Sequence, residues 1–168
     1  MRDSFDGMFF SLSLHICNYL ELLLQSFYYL NQQRMNYQET LTFLYHTLPI
    51  YQKIGKGALK KDLTNIIAFC EYLNQPHQNF KSIHIAGTNG KGSTTHMLGA
   101  ILQAKGLKVG LYTSPHYKDF RERIKINAHF ISEQNIIDFV EKNEALMLEI
   151  KPSFFEITVA MAFYYFSN

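Results

Sequence analysis

The sequence has few cysteines, little net charge and no long apolar run, and each shortage excludes a class of protein. Its two cysteines, Cys17 and Cys70, form neither a disulfide framework nor a metal-ligand spacing, which favours a reducing compartment. A net charge of +2 over 168 residues does not by itself indicate nucleic acid as a partner. No stretch reaches the roughly 18 apolar residues of a membrane span. We therefore expect a globular cytoplasmic protein without a nucleic-acid or membrane partner.

Residues 1–34 are rich in Phe, Leu and Tyr but lack the features of a signal peptide. Asp3 and Asp6 offset Arg2, polar residues interrupt the apolar stretch, and no small-residue cleavage site follows. Two interpretations stay open: an extra amphipathic helix, or translation from a start codon upstream of the natural one. We favour the second, because Met35 opens a segment typical of a normal N-terminus. The predicted division is an extra segment, 1–34, and a domain, 35–168.

From Met35 onward, the spacing of apolar residues predicts alternating helices and strands. Helices are indicated by apolar residues that recur every three or four positions, and strands by short apolar runs that end at glycine or at a polar loop. The predicted helices span 39–48, 63–73, 93–105, 132–150 and 155–166, and the predicted strands span 81–86, 109–113 and 124–127.

The first two predicted strands flank a glycine-rich loop and a helix. This order is a βαβ unit, whose strands are parallel because a crossover joins them. The predicted fold class is therefore α/β, with an open parallel sheet flanked by helices. Two long strands make a poor sheet, and the chain ends directly after an apolar helix. We therefore expect the domain to be incomplete at its C-terminal end.

The strongest chemical signal is the loop between the strand 81–86 and its helix. Three of the nine glycines fall within residues 87–92. Backbone N–H groups and the positive end of the helix would meet there, as in phosphate-binding sites. Lys91 would place its ammonium against the β- and γ-phosphates, and nearby hydroxyls could bind phosphate or Mg²⁺. The predicted ATP-binding residues are Gly87, Thr88, Asn89, Gly90, Lys91, Gly92, Ser93 and Thr94, with Lys91 also catalytic.

The spacing of this loop differs from an ordinary P-loop, in which a hydroxyl residue directly follows the lysine. Here Gly92 stands between Lys91 and Ser93. The string HIAGTNGKGST resembles the ATP-binding loop of the folate branch of the Mur ligase superfamily, the folylpolyglutamate and dihydrofolate synthases. Glycine at position 92 favours this branch, because the cell-wall ligases usually have threonine there. The resemblance implies a P-loop NTPase-like, Mur-ligase-type ATP-binding domain.

A second motif is the string TSPH, followed shortly by RERI. The folate enzymes have similar segments at this distance from the loop, and a ligand site at the carboxyl end of a strand is usual in open α/β sheets. The resemblance implies Ser114 as a Mg²⁺ ligand and Pro115, His116 and Arg121 as residues at the pteroate site. From the residues alone, His116 could be a loop histidine without a ligand, and Arg121 and Arg123 a solvated basic edge.

A third motif is the string SFFE at residues 153–156. It resembles the family's aromatic and acidic segment that contacts pteroate, which implies substrate roles for Phe154, Phe155 and Glu156. Plain packing and helix capping explain the same residues equally well. The loop 55–62 lies where the family has a substrate-covering segment, but its sequence matches less well.

The resemblance covers residues 35–168 and implies an ATP-dependent ligase of folate biosynthesis. ATP would phosphorylate the carboxylate of dihydropteroate or folate, and the amine of L-glutamate would attack the acyl phosphate. The cofactors are ATP and Mg²⁺, and the full-length enzyme is expected to be a monomer. The family's later glutamate, histidine and modified lysine and its C-terminal domain have no counterpart in this chain, so we expect a truncated, inactive piece.

Three other functions stay open. The chain could be an ATP-binding subunit that needs a separately encoded partner chain. It could also be another Mur-type amide ligase that acts on peptide precursors, although Gly92 and the TSPH string argue against this. A small-molecule kinase is a more distant alternative, because its loop would have the hydroxyl residue directly after the lysine.

Overall fold

The computed structural model describes residues 34–48 and 62–168. Residues Asn36–Asn168 form one compact unit, and Arg34 and Met35 are the described residues of the unit Met1–Met35. The predicted boundary between 1–34 and 35–168 stays a prediction. The helices are α1 (Tyr37–Thr47), α2 (Thr64–Tyr72), α3 (Lys91–Ala104), α4 (Glu133–Ile150) and α5 (Phe154–Ser167), and the strands are β1 (Gly110–Tyr112), β2 (Ile124–Ile126) and β3 (His129–Phe130).

All five predicted helices are confirmed to within two residues at each end. Local capping explains several of these ends. The side chain of Asn36 caps α1, and the hydroxyl of Ser132 caps α4 by accepting a hydrogen bond from the Asn135 N–H. Gly106, at φ +82°, ends α3, and its N–H bonds the Gln103 carbonyl at 2.8 Å, as in a Schellman motif.

The sheet differs from the predicted one. In the described residues it has three strands in the order β1-β2-β3, and both pairs are antiparallel. The 3₁₀ turn Phe120–Arg123 returns the chain beside β1, and a two-residue turn at Asn127 and Ala128 joins β2 to β3. An antiparallel pair needs only such short connections, whereas a parallel pair needs a crossover. The described fold is thus α/β with a small antiparallel sheet, and the open parallel sheet is not confirmed.

The predicted buried strand 81–86 is wrong for the part of the chain that the structure describes. These residues form no strand there, and the side chain of Ile83 is 65% exposed. A fully buried strand needs neighbours on both faces and along its edges. The described sheet consists of β1, β2 and β3, and none of these strands pairs with this segment.

Helices α2, α4 and α5 form the core around Phe139. The Phe139 ring lies 6.3 Å from the Phe69 ring of α2 and 5.6 Å from the Tyr164 ring of α5. The apolar spacing predicts a buried face of Leu63, Ile66, Ile67, Cys70 and Leu73. Phe69 is fully buried instead, whereas Leu63 and Ile67 are exposed. Cys70 of the predicted face is buried, so the buried face of α2 overlaps the predicted one but is rotated towards Phe69.

The apolar spacing places Met97, Leu98, Ile101 and Leu102 on one face of α3, of which Leu98 and Leu102 are half-buried. Met97 and Ile101 are 62% and 60% exposed, and Gly99 is the buried residue of the helix. Gly99 contacts β1 at the side chain of Leu111. Among the described helices, none combines the length and the apolar composition that crossing a membrane requires.

Candidate functional site

The glycine loop leads directly into α3. Gly90 is its N-cap residue at φ 77°, a conformation that favours glycine, and no side chain caps the helix. The N–H of Thr94 makes the first helical bond, 2.9 Å to the Gly90 carbonyl. The geometry of a helix start therefore leaves the N–H groups of Lys91, Gly92 and Ser93 to an external acceptor. Such a group of donors at the positive end of a helix suits an anion.

The side chain of Lys91 turns back over the loop that precedes it. Its Nζ donates to the carbonyl of Gly87 at 2.6 Å and to that of Thr88 at 3.0 Å. All eight predicted ATP-binding residues are exposed along this loop and the first turn of α3. A Cβ at Gly90 or Gly92 would meet nothing within 4 Å, so the surface beside the loop is open to a ligand.

Ser114 and Pro115 follow β1 and are joined by a cis peptide bond. Thr113 anchors this segment, because its N–H donates to the Arg123 carbonyl at 2.9 Å. Ser114 is exposed, and no described residue hydrogen bonds with its hydroxyl. The described residues contain no group of three acidic, His or Cys side chains for a metal. A single hydroxyl still fits Mg²⁺, which phosphates and waters mostly coordinate.

His116 lies between the side chain of Arg123, seven positions along the chain, and that of Tyr45, 71 positions before it. Its Nδ1 accepts a hydrogen bond from the Nε of Arg123 at 2.7 Å, and its Nε2 lies 3.1 Å from the hydroxyl of Tyr45 in α1. Burial lowers the pKa of His116, and the positive charge of Arg123 lowers it further. The ring of Phe120 packs edge-on against the imidazole at 6.0 Å. His116 is thus half-buried, and its lowered pKa favours the neutral imidazole.

The alternative that Arg123 belongs to a solvated basic edge is wrong, because its exposed fraction is 7%. Its guanidinium lies 5.1 Å from the centre of the Phe154 ring, a cation–π contact. Phe154 in turn stacks on Tyr45 at 5.2 Å. The structure therefore brings His116 and Phe154 into one cluster with Tyr45, Phe120 and Arg123, which we call the His116 cluster.

Arg121 lies in an ion-pair network instead of the His116 cluster. Its Nη2 lies 2.6 Å from Asp119, its Nη1 lies 3.3 Å from Glu133, and its guanidinium covers the ring of Tyr37. The hydrogen bond from Arg121 is the main cause that lowers the pKa of Asp119. The hydrogen-bonding groups of Arg121 are thus engaged by Asp119 and Glu133 in the structure.

The carboxylate of Glu122 holds the backbone between His116 and the 3₁₀ turn. It accepts hydrogen bonds from the N–H groups of Tyr117, Lys118 and Asp119, at 2.8 to 2.9 Å. These three bonds lower the pKa of Glu122 to about 2. The carboxylate of Glu122 thus fixes the backbone directly after His116.

The first turn of α5 gives its three predicted substrate residues different surroundings. Phe154 is buried in the His116 cluster, whereas Phe155 is 57% exposed and lies edge-on to Tyr112 at 6.1 Å. Glu156 forms a capping box with Ser153, whose N–H donates to its carboxylate at 2.6 Å. The capping explanation of Glu156 therefore agrees with the structure, and Phe155 is the residue of the three that presents an exposed ring.

Sequence reasoning missed Tyr45, which lies 71 positions before His116. The available signal was its place beside Leu44 on the apolar side of a helix, where a tyrosine can bury its ring and still use its hydroxyl. Of the loop 55–62, only Asp62 lies within the described residues.

Comparison with known proteins gives one consistent group of relatives. The folylpolyglutamate synthase of Lacticaseibacillus casei is 34% identical over 139 residues, which are 79% of this chain and 31% of that protein. The dihydrofolate synthase/folylpolyglutamate synthase of Bacillus subtilis is 32% identical, over 79% of this chain and 30% of that protein. No family model matches the sequence.

Solved structures agree with the sequence comparison. The folylpolyglutamate synthase of Thermotoga maritima superposes with a TM-score of 0.68 at 42% identity, over 78% of this chain and 30% of that one. A Mycobacterium tuberculosis folylpolyglutamate synthase complexed with ADP gives a TM-score of 0.62 at 32% identity, over 76% of this chain and 30% of that one. The chain thus spans about a third or less of the relatives that it matches. In sequence and in fold, it belongs to the family of folylpolyglutamate and dihydrofolate synthases.

Proposed function

We propose that this chain provides the ATP-binding loop and part of the pteroate site of a ligase. The ligase would join L-glutamate to dihydropteroate or folate through an acyl phosphate. The observation that carries the proposal is the glycine loop, where Lys91 lies beside the unpaired N–H groups at the start of α3. Relatives have been solved as an AMPPCP complex and as an AMPPCP–folate complex, which supports both ligands.

The chemistry of the loop suits the triphosphate of ATP. Three backbone N–H groups are positioned before the ligand arrives, so these donors need little reorganisation when charge develops on the phosphates. Lys91 would exchange its two carbonyl acceptors for phosphate oxygens. Ser114 would supply one oxygen to Mg²⁺, and the bound ion would neutralise phosphate charge.

The second part of the site would take the pteroate ring. Phe155 presents an exposed aromatic face beside Tyr112, and Pro115 and His116 border the segment after β1. An aromatic platform with a polar rim is typical of pockets for flat heterocycles. The role of Arg121 at this site stays a proposal, because its present partners are Asp119 and Glu133.

The test of nucleotide binding is a calorimetric titration of the chain with AMPPCP and Mg²⁺. Lys91→Ala should weaken binding by roughly tenfold or more, since a hydrogen bond to a charged group is worth about 1.5–3 kcal/mol. The matched control is Lys105→Ala, which removes the same charge at the other end of α3 and should bind like the wild type. Equal affinities in wild type and Lys91→Ala would contradict the proposal.

A second experiment concerns the whole reaction. Because the chain spans 31% or less of these relatives, we expect it to bind nucleotide without glutamate-dependent release of phosphate. The assay contains MgATP, dihydropteroate and L-glutamate. Turnover by the chain alone would contradict the expectation of an inactive piece. Turnover that requires a co-purifying chain would favour the ATP-binding subunit instead.

A further inference from the structure

The two ring nitrogens of His116 are both occupied by protein groups. An arginine side chain only donates hydrogen bonds, so the Nδ1 that receives the Nε–H of Arg123 must carry a lone pair. A neutral imidazole then has its proton on Nε2. That proton points to the hydroxyl of Tyr45, 3.1 Å away. His116 therefore has no ring nitrogen left for a ligand or a metal ion.

Arg123 lies in the cluster without the partner that a buried guanidinium usually has. The described residues place no carboxylate within ion-pair distance of it, whereas its neighbour Arg121 is paired with Asp119 and Glu133. A buried cation without a counter-charge is costly, and the groups around Arg123 are neutral: the His116 imidazole, the Tyr112 hydroxyl and the ring of Phe154. The contacts of Arg123 therefore orient neighbouring side chains and do not neutralise its charge.

These contacts connect two parts of the proposed pteroate site. The Nε of Arg123 holds His116, next to Pro115, and the face of its guanidinium covers Phe154, which opens α5. The segment after β1 and the first turn of α5 are 38 positions apart between His116 and Phe154, and one side chain touches both. Moving Arg123 would thus change the position of one part relative to the other.

We propose that Arg123 is a positioning residue, which fixes the His116 imidazole by hydrogen bonding to its Nδ1 and holds it in register with Phe154. His116 then contributes to the site through the shape of its ring and its backbone, and not as a hydrogen-bonding or metal ligand. The proposal rests on the proposed function only for the statement that this cluster borders pteroate.

The hydrogen bond itself can be observed in solution. In a ¹⁵N-labelled chain at neutral pH, an experiment that detects scalar coupling across N–H···N bonds should connect the Nε of Arg123 with Nδ1 of His116. The His116 signals are assigned as those that disappear in His116→Gln. The Nε2 signal should be that of a protonated nitrogen. A missing cross-peak, or a protonated Nδ1, would overturn the proposal.

Variants separate the role of Arg123 from that of its neighbours. Arg123→Met keeps an unbranched side chain over Phe154 but removes the hydrogen bond to the His116 imidazole. The signals of the two His116 ring nitrogens should then average between both tautomers, and the imidazole should lose its proton contacts with Phe120. Tyr45→Phe keeps the stacked ring, and the cross-peak should persist. The charge control is Lys125→Met on β2, whose spectrum of His116 should equal that of the wild type.

The outcomes distinguish this inference from the proposed function. If Tyr45→Phe frees the imidazole while Arg123→Met leaves it fixed, Tyr45 positions the ring and the inference is wrong. Should Arg123→Met fail to fold, the wild-type and Tyr45→Phe spectra still decide. Failure of the wild type to bind AMPPCP would overturn the proposed function and leave the cross-peak result standing.

Discussion

Gly99 of α3 and Leu111 of β1 are in such close contact that a Cβ at position 99 would lie 2.8 Å from the Cδ2 atom of Leu111. It would also lie 3.2 Å from Cδ1, so rotating the end of the leucine would not relieve the clash. This contact sets the distance between the helix that follows the ATP-binding loop and the strand that leads to Ser114. The distance between these two parts of the proposed site thus depends on the absence of a side chain at Gly99.

We predict that Gly99→Ala destabilises the protein. Alanine favours a helix over glycine by about 1 kcal/mol, but overpacking costs about 1–3 kcal/mol, so a net loss of about 1 kcal/mol is expected. Urea unfolding measures the change. Leu111→Val in the same chain should recover part of the loss, because the valine methyl groups lie farther from the new Cβ. Gly92→Ala is the control, since nothing lies within 4 Å of its added Cβ.

The turn between β2 and β3 gives a second prediction. Ala128 has φ +65°, a left-handed conformation that costs a non-glycine residue about 1–2 kcal/mol. Ala128→Gly should therefore stabilise the protein by about 0.5–1 kcal/mol, after subtracting the entropy that glycine adds to the unfolded chain. The same change at the exposed Ala145 within α4 should instead cost about 1 kcal/mol. A loss of stability in Ala128→Gly would show that this turn has another conformation.

The helices could be predicted from the sequence because their signals are local. Apolar spacing and capping residues such as Asn36 and Ser132 lie within a few positions of the helix that they define. The pairing of the strands could not be predicted in the same way. The turn at Asn127 and Ala128 has positive φ at both positions, as in a type I′ turn, but it lacks the glycine that usually signals one.

The site also contains a part that the sequence predicts and a part that it does not. The ATP-binding loop is one continuous string, so its residues could be predicted together. The His116 cluster depends on Tyr45 and Phe154, which lie far from His116 along the chain, and no periodicity indicates that they meet. Burial of Arg123 was missed for the same reason: an arginine at the end of the charged run 121–123 gives no local sign that its side chain is buried.

A third prediction concerns the capping box at α5. Both the N–H and the hydroxyl of Ser153 donate to Glu156, at 2.6 and 2.7 Å. Glu156→Ala should lose about 1 kcal/mol of unfolding free energy, and Glu156→Gln should recover most of it, because an amide oxygen also accepts. Glu149→Ala, at an exposed position of α4, is the control and should change stability by less than about 0.5 kcal/mol. Equal stability of all three variants would exclude the capping role.

The last prediction is a pH dependence that arises from Glu122. Its pKa is about 2 in the folded protein, against 4.5 ordinarily, because its carboxylate accepts three backbone N–H groups. A lowered folded pKa stabilises the folded state fully above the unfolded pKa, and this stabilisation is lost as the pH falls through the folded pKa. The wild-type Tm should therefore fall between pH 4.5 and about 2, the two pKa values of Glu122.

Glu122→Gln tests this directly. The amide keeps one acceptor oxygen but places its NH₂ group against backbone N–H donors, so its Tm at neutral pH should be lower than that of the wild type. Its Tm should also fall less steeply than the wild-type Tm over the acidic range. Glu71→Gln, an exposed position of α2, is the matched control and should follow the wild-type curve. If Glu122→Gln and the wild type lose Tm in parallel as the pH falls, the carboxylate does not hold the loop of His116, and Arg123 must fix that ring without help from the backbone bonds of Glu122.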